Sequence, residues 1–353
     1  MNIPYRTRRI LQRIGVIFSI LLLLFIIAWF CTVVWLERYI VYTRDGAVLD
    51  LNVSSNDLYG EVATPPISDS EISIYYNEGE DAIELGNELK QLEGYFIDID
   101  DMKGDMGGVW DMLEPLSAGT PIMIDLKGGY GSFYYTTSLP GSITSATVSV
   151  ASVDELIKEM QEKGFYLIAR VSAFRDYEFG VKNVPSGLMH VNRLGLWPDE
   201  GGCYWLDPTD TAVLNRIASI VDELKALGFN EVVLTDFRFP DSDSYIYNGD
   251  KDAALASAAN SLAQTCGDSE FTLSFSVDNA AFPLPEGRCR LYMENVDAKS
   301  VGAKASQATM ENPQVRLVFV AETNDTRFSQ YSVLRPITAS QVLEAQKANT
   351  KSN

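Results

Sequence analysis

The sequence predicts an α/β fold, a (β/α)8 barrel of the TIM type, and three observations lead to this prediction. Short runs rich in β-branched and aromatic residues recur from about residue 93 onward. Amphipathic helical segments separate several of these runs, and a glycine ends three of the helices shortly before the next strand. The runs are apolar on both faces, as expected for parallel strands whose sheet is covered on both sides.

Seven strands can be assigned in series. The eighth strand of a complete barrel is either Ile72–Tyr76 or missing. The seven assigned runs are residues 94–100, 121–127, 165–171, 231–239, 271–277, 288–294 and 315–322.

Capping residues place the helices between the strands. One helix is predicted to begin at Ser152, which forms a capping-box pattern with Glu155, and to end at Gly164. The next begins at Asp207, which is followed by proline at the first helical position. A third, rich in alanine and leucine, is predicted over residues 252–265.

The N-terminus carries a transmembrane signal. Residues 15–36 contain no charged side chain, and a helix of about 20 apolar residues crosses a bilayer. Four arginines precede this segment, so the N-terminus is predicted to be cytoplasmic and the main domain extracytoplasmic, with the lipid bilayer contacted through residues 15–36. The predicted organisation is a cytoplasmic tail (1–14), a transmembrane helix (15–36), a stalk or linker with short strands, starting as a hairpin or an extended stalk (37–92), the barrel (93–340) and a C-terminal helix end or tail (341–353).

Composition excludes several function classes. The net charge of −20 disfavours nucleic acid as a partner. With one histidine, His190, and scattered cysteines, neither a Ser–His–Asp system nor a zinc site is expected, and no cofactor is predicted. Cys266 and Cys289 form a disulfide or remain free thiols. The DSDS run at 241–244 favours a solvated turn over an oxygen-only Ca²⁺ or Mg²⁺ site.

Charged side chains gather at the predicted C-terminal ends of the strands, where (β/α)8 barrels carry their active sites. Two carboxylates are sufficient to hydrolyse a glycosidic bond, one as a proton donor and the other as a nucleophile or base. The acids Asp125 and Asp236 are the first catalytic candidates, with Glu294 and Glu322 in reserve. The predicted substrate-binding residues are Lys127, Tyr130, Arg170, Asp176, Trp205, Arg238, Asp325 and Arg327. The alternative interpretation is that these charges only pair across the barrel mouth, and that the aromatic rings only anchor loops.

Four motifs occur in order along the chain: IDLKGGYG (124–131), YLIARVSAFRD (166–176), YWLDPTD (204–210) and LGFNEVVLTDFRFP (227–240). Together they resemble a bacterial family of glycoside-hydrolase-like domains of otherwise unknown function, over about residues 93–335. The fourth motif corresponds to the family pattern G-F-D-E-I-x-F-D-Y-I-R-F-P. Aligned on its Arg-Phe-Pro, Thr235 takes the place of the family aspartate and Asp236 that of the tyrosine. Either a local bulge lets Asp236 recover the role, or this chain has lost that acid.

The resemblance implies a TIM-barrel-like glycosidase fold and a carbohydrate substrate. The functional expectation is a membrane-anchored, extracytoplasmic domain that acts on a cell-envelope or extracellular polysaccharide. The alternatives are a catalytically inactive glycan-binding domain and a scaffold for an envelope assembly.

Overall fold

The computed structural model describes residues 22, 40–43, 46–49, 89–103, 106–323 and 325–337. The chain divides into two units, residues 1–82 and 83–353. None of the helices in the described ranges combines the length and apolar character needed to cross a bilayer. The predicted transmembrane segment 15–36, apart from Leu22, lies outside the described residues, as do the tail 341–353 and the candidate strand Ile72–Tyr76.

The first unit contains a hairpin. Strands β1 (Ile40–Thr43) and β2 (Gly46–Leu49) pair antiparallel, with Ile40 opposite Leu49. Of the two interpretations that the sequence left open for the start of the stalk, the structure shows the hairpin.

The second unit is a closed barrel of eight parallel strands. The strands follow chain order around the barrel, and the last one pairs with the first. They are β3 (Glu93–Ile97), β4 (Pro121–Lys127), β7 (Tyr166–Ser172), β9 (Glu231–Thr235), β11 (Thr272–Ser276), β12 (Leu291–Glu294), β13 (Leu317–Val320) and β14 (Ser332–Pro336). The barrel class and all seven assigned strands are thus confirmed. The eighth strand is β14, which the sequence analysis missed because its five residues include an arginine and a proline.

Short strands and helices complete the second unit. Strands β5 (Ser132–Phe133) and β6 (Ile143–Thr144) extend the sheet beside β4, while β8 (Met189–His190) and β10 (Tyr245–Ile246) pair with each other outside the barrel. The helices are α1 (Ile99–Met102), α2 (Met106–Leu113), α3 (Val150–Lys163), α4 (Tyr177–Lys182), α5 (Thr211–Ala226), α6 (Lys251–Cys266), α7 (Val301–Gln307) and α8 (Pro313–Arg316), with 3-10 turns at Val184–Ser186, Ala298–Ser300 and Thr326–Gln330.

Two helix starts differ from the prediction by three residues. The side chain of Ser149, not Ser152, caps α3, and Asp210, not Asp207, caps α5. The residue that caps α3 lies three positions upstream of the predicted one, and the residue that caps α5 lies three positions downstream. The C-terminal stop of α3 at Gly164 is confirmed, and this residue has the left-handed φ of 77° that favours glycine.

Apolar side chains form two separate clusters because strand residues alternate between two faces. The larger cluster packs the outside of the strands against the helices. The smaller one fills the barrel interior and includes Met123, Ile168, Val233, Tyr292 and Val318. This alternation fixes which residues of the strand ends point into the barrel mouth.

Candidate active site

The mouth of the barrel carries one charged cluster, built by three strands. Asp125, Arg170 and Glu294 each lie two residues beyond an interior apolar side chain, on β4, β7 and β12 respectively. Because side chains alternate along a strand, all three point into the barrel at its C-terminal end. We call these three residues the mouth cluster.

Arg170 lies between the two acids. Its Nη1 donates to Asp125 Oδ1 at 2.8 Å, and its Nη2 donates to Glu294 Oε2 at 2.6 Å. The Ser276 hydroxyl donates to Glu294 Oε1 at 2.9 Å, and the Ile99 amide donates to Asp125 Oδ2 at 3.1 Å. The side chains of Arg170, Asp125 and Glu294 keep 29%, 11% and 22% of their surface exposed, so solvent and ligands reach the cluster.

The cluster holds two carboxylates for one guanidinium. Burial raises the pKa of Asp125 above its ordinary value of 3.8, against the lowering effect of Arg170, and the charge of Glu294 adds to the rise. The two acids in turn raise the pKa of Arg170, although burial opposes this. One cation shared by two acids leaves the cluster with an excess of negative charge.

Asp236 reaches the mouth from the end of β9. The strand stops at Thr235, whose side chain is buried and which continues the inward-facing series of Val233. Asp236 follows in the left-handed region with φ of 50°, and its Oδ2 accepts a hydrogen bond of 2.6 Å from Ser172 Oγ. The change of backbone direction that the shifted motif requires is thus present, as a left-handed residue after the strand. Asp236 is half-buried and makes no ion pair among the described residues.

Lys127 and Asp176 form a pair beneath the mouth. Lys127 Nζ lies 3.0 Å from Asp176 Oδ2 and donates to the Ser172 carbonyl at 2.8 Å. Their side chains are only 1% and 5% exposed, so neither presents its charge to a ligand in solution. The other oxygen of Asp176 caps α4 through the Phe179 amide. The pair therefore fixes the start of the long loop after β7.

The predicted aromatic residues divide into one buried and one exposed ring. Trp205 is 3% exposed, and its Nε1 donates to Asp199 Oδ2 at 3.1 Å. The guanidinium of Arg238 lies 5.0 Å from the Trp205 ring centre. Tyr130 is 56% exposed, and its hydroxyl donates to the Gly201 carbonyl at 2.6 Å. Tyr130 is therefore the ring available for stacking, because Trp205 is enclosed.

Glu322 lies apart from the mouth cluster. It is exposed and lines a cavity of about 470 Å³ together with Asn295, the residue after Glu294. Asp325 and Arg327 pair with each other at 2.6 Å on the exposed turn that follows. The structure therefore brings together Asp125, Arg170 and Glu294, with Asp236 at the same end of the barrel, and keeps the last three candidates on a neighbouring loop.

Sequence reasoning missed two contributors, Ser172 and Ser276, which hold Asp236 and Glu294 in place. The serines carried a signal, because each lies on the inward-facing series of its strand. Tyr134, one of the aromatic residues in the loop after β4, is half-buried, and burial and the charge of Asp125 raise the pKa of its phenol.

The structure also bears on two questions that the sequence left open, the state of the cysteines and a possible metal site. Cys203, Cys266 and Cys289 are buried free thiols, so the Cys266–Cys289 bridge is not formed. Within the described ranges no group of three histidine, cysteine or acidic side chains is placed to bind a metal ion.

Comparisons with solved structures find similar proteins at low sequence identity. A hypothetical protein from Ruminiclostridium thermocellum has 19% identity and a TM-score of 0.45, over 52% of this chain and 96% of that one. An α-galactosidase of family GH36 from Geobacillus stearothermophilus has 11% identity and a TM-score of 0.47, over 75% of this chain and 43% of that one. The Ega3 protein of Aspergillus fumigatus, in complex with galactosamine, has 13% identity and a TM-score of 0.42, over 71% of this chain and 93% of that one.

No curated protein matches the chain. Residues 114–270, which include Asp125, Arg170 and Asp236, match the family described as "Putative glycosyl hydrolase domain". This match confirms the resemblance to glycoside-hydrolase-like domains that was drawn from the sequence.

Proposed function

We propose that this chain is a membrane-anchored, extracytoplasmic glycoside hydrolase that acts on a cell-envelope or extracellular polysaccharide. The observation that carries the proposal is the mouth cluster, where Arg170 joins Asp125 and Glu294 at 2.8 and 2.6 Å, with Asp236 at the same end of the barrel. Carboxylates on either side of a glycosidic bond are the groups that its hydrolysis requires.

Asp125 is assigned the role of general acid. Burial raises its pKa, which is the direction of shift that a glycosidase acid requires. Asp236 is assigned the role of the second carboxylate, which attacks the anomeric carbon or activates water. It suits this role because it is half-buried at the mouth and, within the described residues, accepts a hydrogen bond only from a neutral hydroxyl, that of Ser172. Glu294 stands in reserve for the same role.

The remaining candidates divide by exposure. Tyr130 offers a ring that can stack on a sugar, and Glu322 lines the cavity where a neighbouring sugar unit would lie. Arg238, half-buried, together with Asp325 and Arg327, is proposed to contact hydroxyl groups at the edge. Lys127, Asp176 and Trp205 are proposed to act by fixing the loops, since they are buried.

The membrane part of the proposal rests on the sequence of residues 1–36. Four arginines precede an uncharged segment long enough to span a bilayer, and this orientation directs the barrel outward. Intact cells that express the chain with a C-terminal tag would test it. External protease should remove the tag, whereas a tag that remains protected until the cells are lysed would contradict the orientation.

A second candidate is a catalytically inactive, glycan-binding barrel or envelope scaffold. Thr235 favours it, because this buried, neutral side chain occupies the inward position of the family aspartate. The pairing of Asp125 and Glu294 with Arg170 is also compatible with a structural role.

A reducing-end assay separates the two candidates. The full-length chain in mild detergent would be incubated with purified cell-wall and capsular glycans, beside its Asp125→Asn and Asp236→Asn variants. A matched control is Asp111→Asn, which changes an exposed carboxylate on α2. A hydrolase releases product that is lost in the two mouth variants and kept in the control. Binding without release, by wild type and all variants alike, would contradict the hydrolase and support the inactive barrel.

A further inference from the structure

A second cavity, of about 290 Å³, lies outside the mouth cluster. It is formed by the loop that carries Ser142, the helix α4 and the start of α5, and its lining includes Arg216, Lys182 and Glu178. We infer that this cavity binds an oxyanion, that is a carboxylate, sulfate or phosphate group, through the guanidinium of Arg216. The inference does not rest on the proposed hydrolysis.

The charges around the cavity leave one cation uncompensated. Lys182 pairs with Glu178 at 3.2 Å, and the lining residue Asp176 pairs with Lys127 at 3.0 Å. Arg216 makes no ion pair within 4.0 Å in the part of the chain that the structure describes. Half-buried charges normally have a partner. In a chain with a net charge of −20, a cation kept without one indicates an acidic partner from outside.

The hydrogen-bonding groups of Arg216 show where that partner would bind. Its Nη2 donates to Ser142 Oγ at 2.6 Å, and the guanidinium carbon lies 5.5 Å from the ring centre of Phe133. These contacts hold the guanidinium plane in place. The Nε atom is buried and has no hydrogen-bond acceptor among the described residues, so a ligand in the cavity would contact the terminal nitrogens of the guanidinium instead.

The chemistry of the guanidinium selects the ligand class. Its N–H groups form a planar fork that matches two oxygens of a carboxylate, sulfate or phosphate. A neutral sugar hydroxyl would accept a hydrogen bond from the guanidinium but would leave its charge uncompensated. An oxyanion satisfies both, either as a free ion or as an acidic substituent of a sugar.

Isothermal titration calorimetry tests the inference on the full-length chain, with sodium sulfate and, separately, sodium glucuronate, at constant ionic strength. We expect saturable binding of at least one of these anions. Arg216→Gln should weaken it roughly tenfold or more, as expected when a charge-assisted hydrogen bond is lost. Arg216→Lys, which keeps the charge and loses the fork, should weaken it less. Lys158→Gln is the control, because it removes the same charge from an exposed pair on α3.

Each outcome decides the inference. Sulfate and glucuronate bound equally well would support a free-ion site, and glucuronate bound about tenfold more tightly would support an acidic sugar. No binding of either anion, or equal affinity in wild type and Arg216→Gln, would overturn it. If Arg216→Gln fails to fold, as judged by circular dichroism, Ser142→Ala and Arg216→Lys replace it. Unchanged affinity in both would overturn the inference as well.

Discussion

The two ends of the barrel both contain charged side chains, but they are built differently. At the N-terminal end Glu231 and Arg290 form an ion pair with side chains 0% and 2% exposed. Glu231 also accepts hydrogen bonds from Ser274 at 2.6 Å, Tyr292 at 2.9 Å and Tyr166 at 3.0 Å. At the C-terminal end one arginine serves two acids, and part of each side chain meets solvent.

This difference distinguishes a network that stabilises the fold from a cluster whose charged groups remain open to a ligand. At the N-terminal end one charge balances one charge and several donors surround the carboxylate, so the network is closed and leaves no group for a ligand. Burial and the charge of Glu231 raise the pKa of Tyr166 to about 12, which keeps this phenol a hydrogen-bond donor over the physiological range. At the C-terminal end the excess acid is the feature that a glycosidase uses.

The largest expected effect comes from breaking the closed network. Arg290→Met leaves Glu231 buried without its cation and should lower the free energy of unfolding by about 3–5 kcal/mol. Urea unfolding of the full-length chain, followed by far-UV circular dichroism, measures it. The double variant Glu231→Leu/Arg290→Met is the control and should recover most of the loss. A single variant as stable as wild type would contradict the structural role of this end.

A smaller loss of stability is expected at the open end. Arg170→Met leaves Asp125 and Glu294 facing each other, but both remain partly exposed, so we expect a loss of about 1–2 kcal/mol. The same urea titration compares it directly with Arg290→Met. A loss greater than that of Arg290→Met would show that the mouth cluster, rather than the closed network, holds the barrel together.

Ser172→Ala should have a weaker effect still. It removes the hydroxyl whose single proton is shared between Asp236 Oδ2 at 2.6 Å and the Arg175 carbonyl at 2.8 Å, at a cost of about 1 kcal/mol. If Asp236 is the second carboxylate, product release should also fall, while Ser219→Ala on the exposed side of α5 should change neither quantity. Unchanged release in Ser172→Ala would argue against a role for this contact in positioning Asp236.

The smallest expected effect is a change in the pH dependence of stability. The raised pKa of Asp125 means that the folded state binds this proton more tightly than the unfolded state does. The stabilisation that the protonated Asp125 side chain contributes is therefore complete below pH 3.8 and is lost as pH rises through the higher pKa of the folded state. The side chain in Asp125→Asn cannot ionise. The free energy of unfolding of this variant relative to wild type, measured by urea titration, should therefore increase as pH rises over this window. A constant difference between the two proteins at every pH would contradict the raised pKa.

The sequence was sufficient for most of the fold, because buried strands and capped helices leave local patterns. It failed at β14, whose arginine and proline hide a strand that only its pairing with β3 and β13 defines. It placed Ser152 and Asp207 as caps, because several capping residues lie within three positions of each helix start and only packing selects among them.

The site was predicted less completely, because its contacts join distant parts of the chain. Arg170 and Glu294 are 124 positions apart, so their pairing leaves no local pattern. The strand-end rule found both residues but could not separate them from Lys127 and Asp176, which turn away into a buried pair. Nor could it show that Trp205 is enclosed while Tyr130 is exposed.

We propose that the C-terminal end of the barrel acts on glycan, whereas the N-terminal end only supports the fold. Product release by Arg170→Met and Arg290→Met separates the two roles when both variants are assayed together, below both unfolding temperatures, on a glycan that the wild type cleaves. We expect Arg290→Met to keep its activity although it is the less stable protein, and Arg170→Met to lose activity although it is the more stable one. Full activity in Arg170→Met, or loss confined to Arg290→Met, would contradict it.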